Sequence, residues 1–496
     1  MKEPKICLCL TGKTLAEDLE IVNKYRKWID MVELRVDHLD EDDRLHIRRF
    51  PEMAGIPCIL TIRRITDGGL FTEGEATRTM LFARGLAFAD QDARKNFAYV
   101  DFEEDFHIPS LQDVALAFGI RIIRSAHFMD APISNIPEKL ATMRTTGFEI
   151  PKIAFMPNNL SDVTRMFQET KNLTDSEQII CAMGDLGLPS RILASRINSF
   201  LTFVSPEEGN QLQSLGHIDP ITMSEVYNFR SINENTKIYG ITGYPLKVTD
   251  SPKIHNAGYK KHNMNAIYIP IRSPNVKETI DFANELGIEG LSVTIPHKET
   301  VIENLAQIEE NVGYIGACNT IIKKDDLWIG ENTDADGIMQ AIKEFLGVKN
   351  LLHKKVAIIG AGGASKAVAY AVHQLRGKAC IFNRTVSKAK QIAENFNFKW
   401  ASLGPESSYI LDRYSDLIIQ TTSKGMGATL PATEENDPIF FYEFKGYESV
   451  YDIVYHPEIT PIMQRAKEAG CKVANGHTML EYQAYKQFKL FTGEDY

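Results

Sequence analysis

The chain has 496 residues, which exceeds the size of one hydrophobic core and predicts two to four domains at about 150 residues each. Its hydrophobic content of 44% and charged content of 24% are ordinary for a soluble globular protein. The formal net charge of -10 argues against a general nucleic-acid binder, because neutralising phosphates requires clustered Lys and Arg.

Cysteine usage and hydropathy indicate the cytoplasm. The seven cysteines are scattered from Cys7 to Cys471 without a Cys-x-x-Cys pair, so we expect reduced thiols and neither a zinc site nor a disulfide framework. The first residues turn acidic early and lack a long apolar core. No run approaches the ~20 apolar residues of a membrane span. We therefore expect a cytoplasmic protein with no metal, membrane or nucleic-acid partner.

The first 230 residues alternate short β-type runs with helical stretches. Eight such alternations have the size and order of a (β/α)8 barrel, although a doubly wound open sheet remains the alternative. The runs cover residues 5–10, 31–37, 58–63, 97–103, 121–128, 152–157, 178–184 and 200–205.

Charged residues alternate with apolar ones in the second run. Glu33, Arg35 and Asp37 share one face of ELRVD. A barrel strand has helices outside and a packed interior, so this face points to the lumen or mouth, where barrel enzymes keep their active sites. A structural ion network would produce the same pattern.

Lys152 lies on the inner face of the sixth run, PKIAFMP. A buried lysine is costly as a cation and tends to lose its proton, which makes Lys152 a candidate Schiff-base nucleophile. A strand-end lysine that reaches water is the alternative. His127 ends the preceding run and is a candidate for proton transfer near pH 7.

Five motifs in one order carry a family resemblance: ELRVD, TIRR, SAHF, PKIAFMP with SDV, and MGDLGLPSR. From residue 4 to about 205 the chain resembles type I 3-dehydroquinate dehydratase, a barrel enzyme that works through a lysine Schiff base. The resemblance implies that Lys152 forms the imine and that His127 relays protons. It implies that substrate hydroxyls and carboxylate are held by Glu33, Arg35, Arg63 and Arg191.

The chain departs from that family in two places. Asp67 stands where the family usually has Glu, which is a small change. In the final loop, QSLGH places Gln213 at the family's serine and His217 at its glutamine. The second change puts the contacts that cover the substrate in question.

A short polar segment, SINENT, divides the chain into different halves, with a helix ending near Arg230 and a strand starting at Lys237 or Ile238. We predict a barrel over residues 1–230 and an α/β unit over 237–338 that also includes the terminal helix, 477–496. A Rossmann domain is predicted over 339–476.

The first part of the second half contains three polar motifs. TDSP places Thr249 and Ser251 before a helix start, and GLSVTIPHKE sets Lys298 just after a strand. GACNTII and IGENTDADG put Asn319 and Asp334 into turns on either side of one presumed strand. Taken singly, each motif is as well explained by a helix cap or a turn.

A glycine-rich turn follows the apolar run that ends at Ile359 and precedes a helical pattern. Such a turn lets the backbone approach a pyrophosphate at a helix N-terminus, so it predicts a dinucleotide site. Ser365 stands at the third glycine position of the fingerprint. The turn consists of Gly360, Ala361, Gly362, Gly363 and Ala364.

The next run, ACIFNRTVSK, indicates which dinucleotide binds. An NAD-preferring protein would hold Asp or Glu at its end for the ribose hydroxyls, whereas this chain has Asn383, Arg384 and Thr385. Arg384 and Lys388 would attract a 2′-phosphate. We therefore predict NADP(H) rather than NAD.

Five motifs occur in one order in the second half: VTIPHKE, GACNT, ENTD, GAGGA and NRT. Because these motifs have the same order in shikimate dehydrogenase, residues 237 to 496 resemble that family. The resemblance implies that Lys298 and Asp334 are the catalytic pair. Val248, Thr249 and Ser292 depart from the family's usual His, Ser and Asn. The other implied residues bind substrate or lie near the nicotinamide, and they are Thr249, Ser251, Thr294, Asn319, Tyr455, Gly476 and Gln483.

The two resemblances are consecutive reactions, so we predict a bifunctional enzyme of aromatic-amino-acid precursor synthesis. It would dehydrate 3-dehydroquinate and reduce the product to shikimate with NADPH. Two alternatives remain: a ligand-binding regulatory protein on the same scaffold, and an NAD-preferring quinate or shikimate catabolic dehydrogenase. The oligomeric state is not predicted.

Overall fold

The computed structural model describes residues 3–87, 90–144, 146–174, 176–206, 211–246 and 249–496. Its contacts divide the chain into two compact units. The first unit comprises Met1–Gly240 and Tyr259–Ile288, and the second comprises Ile241–Gly258 and Glu289–Tyr496. Within the described residues, no helix combines the length and apolarity needed to cross a membrane.

Eight parallel strands form the first sheet, in the order β7-β6-β5-β4-β3-β2-β1-β8. A parallel bridge between Gln178 and Ser199 joins the starts of β7 and β8, so the sheet nearly closes on itself. The predicted (β/α)8 barrel is confirmed. The strands are β1 Lys5–Leu10, β2 Met31–Arg35, β3 Cys58–Thr61, β4 Tyr99–Glu103, β5 Arg121–Phe128, β6 Ile150–Phe155, β7 Ile179–Ala182 and β8 Leu201–Val204.

Local signals in the sequence start the helices of the barrel. The Thr14 hydroxyl accepts from the Glu17 N–H at the start of the first helix, and Asn159 and Asp162 form a reciprocal capping box at the seventh. The helices are α1 Leu15–Tyr25, α2 Glu41–Arg44, α3 Phe50–Ala54, α4 Gly74–Leu86, α5 Pro109–Ala117, α6 Ile136–Thr142, α7 Leu160–Thr170 and α8 Gly184–Ile192.

The barrel interior changes from apolar to charged along the strands. Its buried inner layer contains Met31, Ile59, Tyr99, Ile123 and Ile150, each near the start of its strand. Successive side chains of a strand alternate between faces, so the residue two positions later returns to the interior. Those positions hold Glu33, Thr61, Asp101, Ser125 and Lys152, all buried. The apolar layer therefore fills the amino end and leaves the polar groups at the carboxyl end.

A mixed sheet has the order β10-β9-β11-β13-β14-β12. β13 and β14 are antiparallel and are joined at Asp325 and Asp326, whose φ angles are 48° and 61°. Two left-handed residues suit a tight hairpin turn, so the single strand expected between Asn319 and Asn332 is in fact a hairpin. The strands are β9 Lys237–Gly243, β10 Ala266–Arg272, β11 Ile288–Val293, β12 Gln307–Ile308, β13 Thr320–Lys324 and β14 Leu327–Glu331.

The last sheet is entirely parallel, in the order β17-β16-β15-β18-β19-β20. This strand order is that of a Rossmann fold, which binds dinucleotides where the order reverses, beside the first strand. The strands are β15 Lys355–Ile359, β16 Lys378–Asn383, β17 Lys399–Ser402, β18 Leu417–Gln420, β19 Ser449–Asp452 and β20 Lys472–Ala474.

Nine more α-helices complete the part of the chain that the structure describes. The last helix packs against α12 in the second unit. The helices are α9 Ser251–Lys261, α10 Val276–Leu286, α11 Glu310–Ile315, α12 Asp334–Leu346, α13 Gly363–Gln374, α14 Val386–Asn395, α15 Ser408–Asp412, α16 Pro461–Glu468 and α17 His477–Thr492.

Two candidate active sites

A cavity opens at the carboxyl end of the barrel strands and gathers residues that are far apart in the sequence. All six residues predicted for the barrel site line it, together with Asp67 and His217. The six are Glu33, Arg35, Arg63, His127, Lys152 and Arg191.

Lys152 projects into this cavity from β6 and is 6% exposed. Its Nζ lies 2.9 Å from Asp101 Oδ2 and 3.5 Å from Glu33 Oε1. Burial lowers the pKa of Lys152, but Asp101 and Glu33 outweigh burial, and the pKa is raised above its usual value. The expectation that Lys152 loses its proton easily was therefore wrong for this arrangement, because two carboxylates face the amine.

Asp101 is the central residue that sequence reasoning missed. Its carboxylate accepts from Lys152 Nζ, from Arg63 Nη2 at 2.8 Å and from Ser125 Oγ at 2.5 Å. Burial raises the pKa of Asp101, but Arg63 and Lys152 outweigh it and hold the pKa well below its usual value. A signal was present in β4, where Asp101 and Glu103 alternate with apolar residues as the charges do in β2.

His127 lies on β5, which pairs with β6. Burial lowers the pKa of His127 well below its usual value, and the neighbouring cations Arg63 and Lys152 add to this effect. Its Nδ1 is buried and has no hydrogen-bond partner among the described residues. His127 is therefore a neutral imidazole at pH 7, able to accept a proton.

The arginines of the cavity are held in fixed directions. Arg35 donates from Nε and Nη2 to Asp37 at 2.9 and 2.7 Å, so Asp37 serves the fold and orients Arg35. Arg191 donates from Nη2 to the Leu215 carbonyl at 2.7 Å, and its buried Nε has no partner within the described residues. Arg191 thus retains a donor for an anion.

The altered loop is described only in part. His217 lines the cavity, and its Nδ1 is buried without a hydrogen-bond partner in the described part of the chain. The side chain of Gln213 and the whole of Val248 lie outside the described residues. Asp67 accepts from Arg64 Nε at 2.8 Å.

A cleft in the second unit brings together the glycine turn, Lys298 and Asp334. Lys298 and Asp334 form an ion pair, in which Asp334 is 2% exposed. Asp334 is the first residue of α12, so its carboxylate also benefits from the positive end of that helix. Other predicted residues that line the cleft are Thr294, Gly362, Gly363, Ala364, Tyr455, Gly476 and Gln483.

Asn319 fixes the orientation of Asp334. Its Nδ2 donates to Asp334 Oδ1 at 2.8 Å and lies 3.1 Å from Gln483 Oε1, while its Oδ1 accepts from the Thr333 N–H at 2.7 Å. Gln487, one helical turn after Gln483, was missed by sequence reasoning. Its amide accepts from Ser292 Oγ at 2.8 Å and donates to Thr320 Oγ1 at 2.8 Å. The i, i+4 spacing of the two glutamines on one helix face was the available signal.

Thr249 and Ser251 are absent from the described lining of the cleft but are linked to it. Thr249 Oγ1 donates to Ser251 Oγ at 3.1 Å, and its side chain also hydrogen-bonds Tyr455, which does line the cleft. Burial raises the pKa of Tyr455, so its hydroxyl stays protonated at neutral pH.

The glycine turn has the geometry of a phosphate cradle. Gly360 has a φ of 115°, and a Cβ there would lie 2.6 Å from Thr421 Oγ1, so only glycine fits. α13 begins at Gly363 and directs its free N–H groups to the turn. Ser365 stands at the third glycine position, where its Oγ accepts from the Gly362 N–H at 3.1 Å and bonds Thr421 Oγ1 at 2.6 Å.

The end of β16 lies beside this cradle, since the Gly360 N–H donates to the Phe382 carbonyl at 2.8 Å. Asn383 Nδ2 donates to the Thr385 carbonyl at 2.9 Å and shapes the turn. Arg384 and Lys388 are exposed there. Two cations thus stand where an NAD site would carry a carboxylate.

Comparison with known proteins finds two enzyme families along the chain. Family profiles match Type I 3-dehydroquinase at residues 6–234, the Shikimate dehydrogenase substrate binding domain at 241–321 and Shikimate / quinate 5-dehydrogenase at 341–427. The Bifunctional 3-dehydroquinate dehydratase/shikimate dehydrogenase, chloroplastic, of Arabidopsis thaliana is 31% identical over 94% of this chain and 78% of its own length. The chain belongs to this bifunctional dehydratase/dehydrogenase family.

Other relatives match the dehydrogenase half alone. Shikimate dehydrogenase (NADP(+)) of Pyrococcus furiosus is 37% identical over 53% of this chain and 93% of that protein. A solved shikimate dehydrogenase of Aquifex aeolicus covers 53% of this chain and 96% of its own at 31% identity, with a TM-score of 0.49. The match to the Arabidopsis bifunctional enzyme over 94% of this chain confirms the bifunctional assignment, and the NADP-dependent relatives confirm NADP(H) as cofactor. We call the barrel cavity the dehydratase cavity and the second-unit cleft the dehydrogenase cleft.

Proposed function

We propose that Lys152 is the imine-forming nucleophile of the dehydratase and that His127 moves its protons. The observation that carries this proposal is a buried lysine beside a neutral histidine in the mouth of the barrel. Lys152 holds its proton against Asp101 and Glu33, so attack on the substrate ketone requires that proton to leave. We assign the acceptance of that proton to His127, because its imidazole is neutral, whereas the Asp101 carboxylate is held ionised by Arg63 and Lys152.

The imine then makes elimination possible. Loss of water from the carbinolamine leaves an iminium, which withdraws electrons and acidifies the adjacent C–H bond. We assign to His127 the removal of that proton, after which the β-hydroxyl leaves as water with a proton returned by the imidazole. Hydrolysis of the product imine restores Lys152.

The substrate's polar groups would be held by the fixed side chains around Lys152. We assign the carboxylate to Arg191, which keeps an unpartnered buried Nε. Arg35 and Arg63, each oriented by acidic neighbours, would present their remaining N–H groups to hydroxyls, and Glu33 would accept from one.

In the dehydrogenase cleft, we propose that Lys298 protonates the substrate oxygen and that Asp334 holds its ammonium in place. NADPH, when bound, supplies the hydride. Asn319 orients the carboxylate of Asp334, and that carboxylate in turn holds the ammonium group of Lys298. Substrate hydroxyls and carboxylate would bind Thr249, Ser251, Thr294, Tyr455 and Gln483.

The chain offers groups for two parts of the cofactor, one set in the glycine turn and one at the end of β16. Gly360 to Ala364 would take the pyrophosphate, and Arg384 and Lys388 would bind the 2′-phosphate beside Asn383 and Thr385. Gly476 has no room for a side chain, because a Cβ there would lie 2.0 Å from the Ile453 carbonyl oxygen. That close approach brings the start of α17 against the cleft.

The predicted functional boundaries also stand as proposals, with the dehydratase in 1–230, the dehydrogenase substrate domain in 237–338 plus 477–496, and the cofactor domain in 339–476. We propose small molecules as the partners and the cytoplasm as the compartment. All seven cysteines are free, as is usual where thiols stay reduced.

A coupled assay tests the whole proposal. Purified chain given 3-dehydroquinate and NADPH is expected to form shikimate, because both activities are needed for that product. Formation of 3-dehydroshikimate alone would refute the reductase assignment. Binding of either ligand without turnover would instead favour a regulatory protein. Faster turnover with NADH than with NADPH would favour a catabolic dehydrogenase.

Replacing Arg384 with alanine is expected to lower kcat/KM for NADPH by about tenfold to a hundredfold, the worth of a charge-assisted contact to phosphate. The rate with NADH should change little, because NADH lacks the 2′-phosphate. Steady-state kinetics with both cofactors measure the difference. The matched control is Arg413→Ala, which removes an exposed arginine that precedes β18. Equal losses with both cofactors would contradict the assignment of Arg384 to the 2′-phosphate site.

A further inference from the structure

Two buried polar side chains, Gln420 and Asp452, lie at the carboxyl edge of the Rossmann sheet. They end β18 and β19, pair in register, and are both 0% exposed. Neither belongs to the described lining of the dehydrogenase cleft. The residues that follow them do line it, namely Thr421 after Gln420, and Ile453 and Tyr455 after Asp452.

The carboxylate of Asp452 binds both ends of the segment 453–460. Its Oδ1 accepts from the Val454 N–H at 2.9 Å, and its Oδ2 accepts from Thr460 Oγ1 at 2.6 Å. Thr460 is also 0% exposed and precedes the first residue of α16. The segment 453–460 contains the cleft residues Ile453 and Tyr455. Asp452 therefore fixes the position of these two residues.

Gln420 fixes the neighbouring turn in the same way. Its Nε2 lies 3.3 Å from Asp452 Oδ1 and donates to the carbonyls of Thr422 and Lys424 at 3.1 and 3.0 Å. Its Oε1 accepts from the Thr422 N–H. Thr421, which lies inside this turn, bonds Ser365 of α13. One amide and one carboxylate therefore join two separate walls of the cleft.

We propose that Asp452, together with Gln420, is the positioning residue for the cleft wall formed by Thr421, Ile453 and Tyr455. The inference rests on the proposed function, because that wall matters for catalysis only if the cleft takes NADP(H). Removing the carboxylate would leave a buried N–H and a buried hydroxyl without their acceptor and release the segment that they hold. Small displacements of groups that orient a reactant cost large factors in rate.

Burial of Asp452 makes the site sensitive to pH. Burial raises the pKa of Asp452 to about 7, and the nearby Asp437, which is paired with Arg465 and faces Lys424, contributes to the rise. Between its ordinary pKa and about 7 the folded state binds more protons than the unfolded state, so stability falls as pH rises through that range. In the neutral form, Oδ2 can donate to Thr460 while Oδ1 still accepts.

The test uses the full chain and measures both activities in one sample. Asp452→Ala is expected to raise KM for NADPH and lower kcat/KM by about tenfold or more, with the dehydratase rate unchanged. Asp452→Asn, whose Oδ1 accepts and whose Nδ2 donates to Thr460, is expected to restore most of the loss. Thr460→Val should shift KM in the same direction by less.

Glu448→Gln is the matched control, since Glu448 is a buried carboxylate at the opposite end of β19 that accepts from the Tyr442 hydroxyl at 3.0 Å. It should leave KM for NADPH unchanged. An Asp452→Ala variant with wild-type KM and kcat would overturn the inference, and so would a loss of kcat at unchanged KM. Absence of NADPH-dependent reduction in the wild-type chain would instead refute the proposed function itself.

Discussion

The Lys152→Met variant is expected to lose at least about three orders of magnitude in dehydratase kcat, because the described residues that line the cavity include no second lysine. Borohydride added with 3-dehydroquinate should reduce the imine of the wild-type chain and leave a stable adduct on the peptide that contains Lys152. Mass spectrometry of the digested protein measures that adduct. The variant should yield no adduct, while its NADPH-dependent reduction of 3-dehydroshikimate persists.

Two features of the cavity shape the controls. Methionine removes one of the cations that face Asp101 and Glu33, so part of the loss could come from destabilising the barrel. Lys152→Arg keeps a positive charge against both carboxylates but cannot form an imine, since its guanidinium stays protonated. Both variants should be inactive. An unmodified Lys152 peptide from wild-type protein that borohydride and substrate have inactivated would refute the Schiff base.

Lys298→Ala is expected to lower kcat for the reductase by about 10²- to 10⁴-fold, the usual range for a positioned proton donor. Asp334→Asn should cause a smaller loss, because it keeps the side-chain shape and leaves the ammonium in place without its counter-charge. In the coupled assay both variants should accumulate 3-dehydroshikimate in place of shikimate. The dehydratase rate of the same sample reports whether the barrel is folded, and circular dichroism of each variant reports the folding of the whole chain.

A second lysine in the same unit provides the comparison. Lys323, on the β13–β14 hairpin, pairs with the exposed Asp326 at 3.5 Å, so Lys323→Ala removes a charge without touching the cleft. Its reductase rate should match wild type. If Lys298→Ala and Asp334→Asn kept wild-type reductase rates, or lost both activities while remaining folded, the assignment of two independent catalytic sites would be contradicted.

Much of the fold could be predicted from local patterns. The alternation of β-type runs and helices anticipated all eight barrel strands, and the bounds of β1 and β5 agree with the prediction to the residue. Gly360 and the apolar run before it indicated the phosphate cradle, because a left-handed backbone and a close approach require glycine. The hairpin at Asp325 and Asp326 was missed, since acidic residues can also occupy an ordinary loop.

The candidate sites could likewise be predicted only in part from the sequence. Sequence by itself determined which chemical groups are present and on which strand face they lie, because side-chain alternation is a local property of the backbone. Only the tertiary structure determines that Lys152 keeps its proton, since Asp101, which faces it, is 51 positions away in the chain. It also decided the contact of Asn319 with Gln483, across 164 positions. Electrostatic and hydrogen-bond energies depend on distance in space, which the order of residues does not specify.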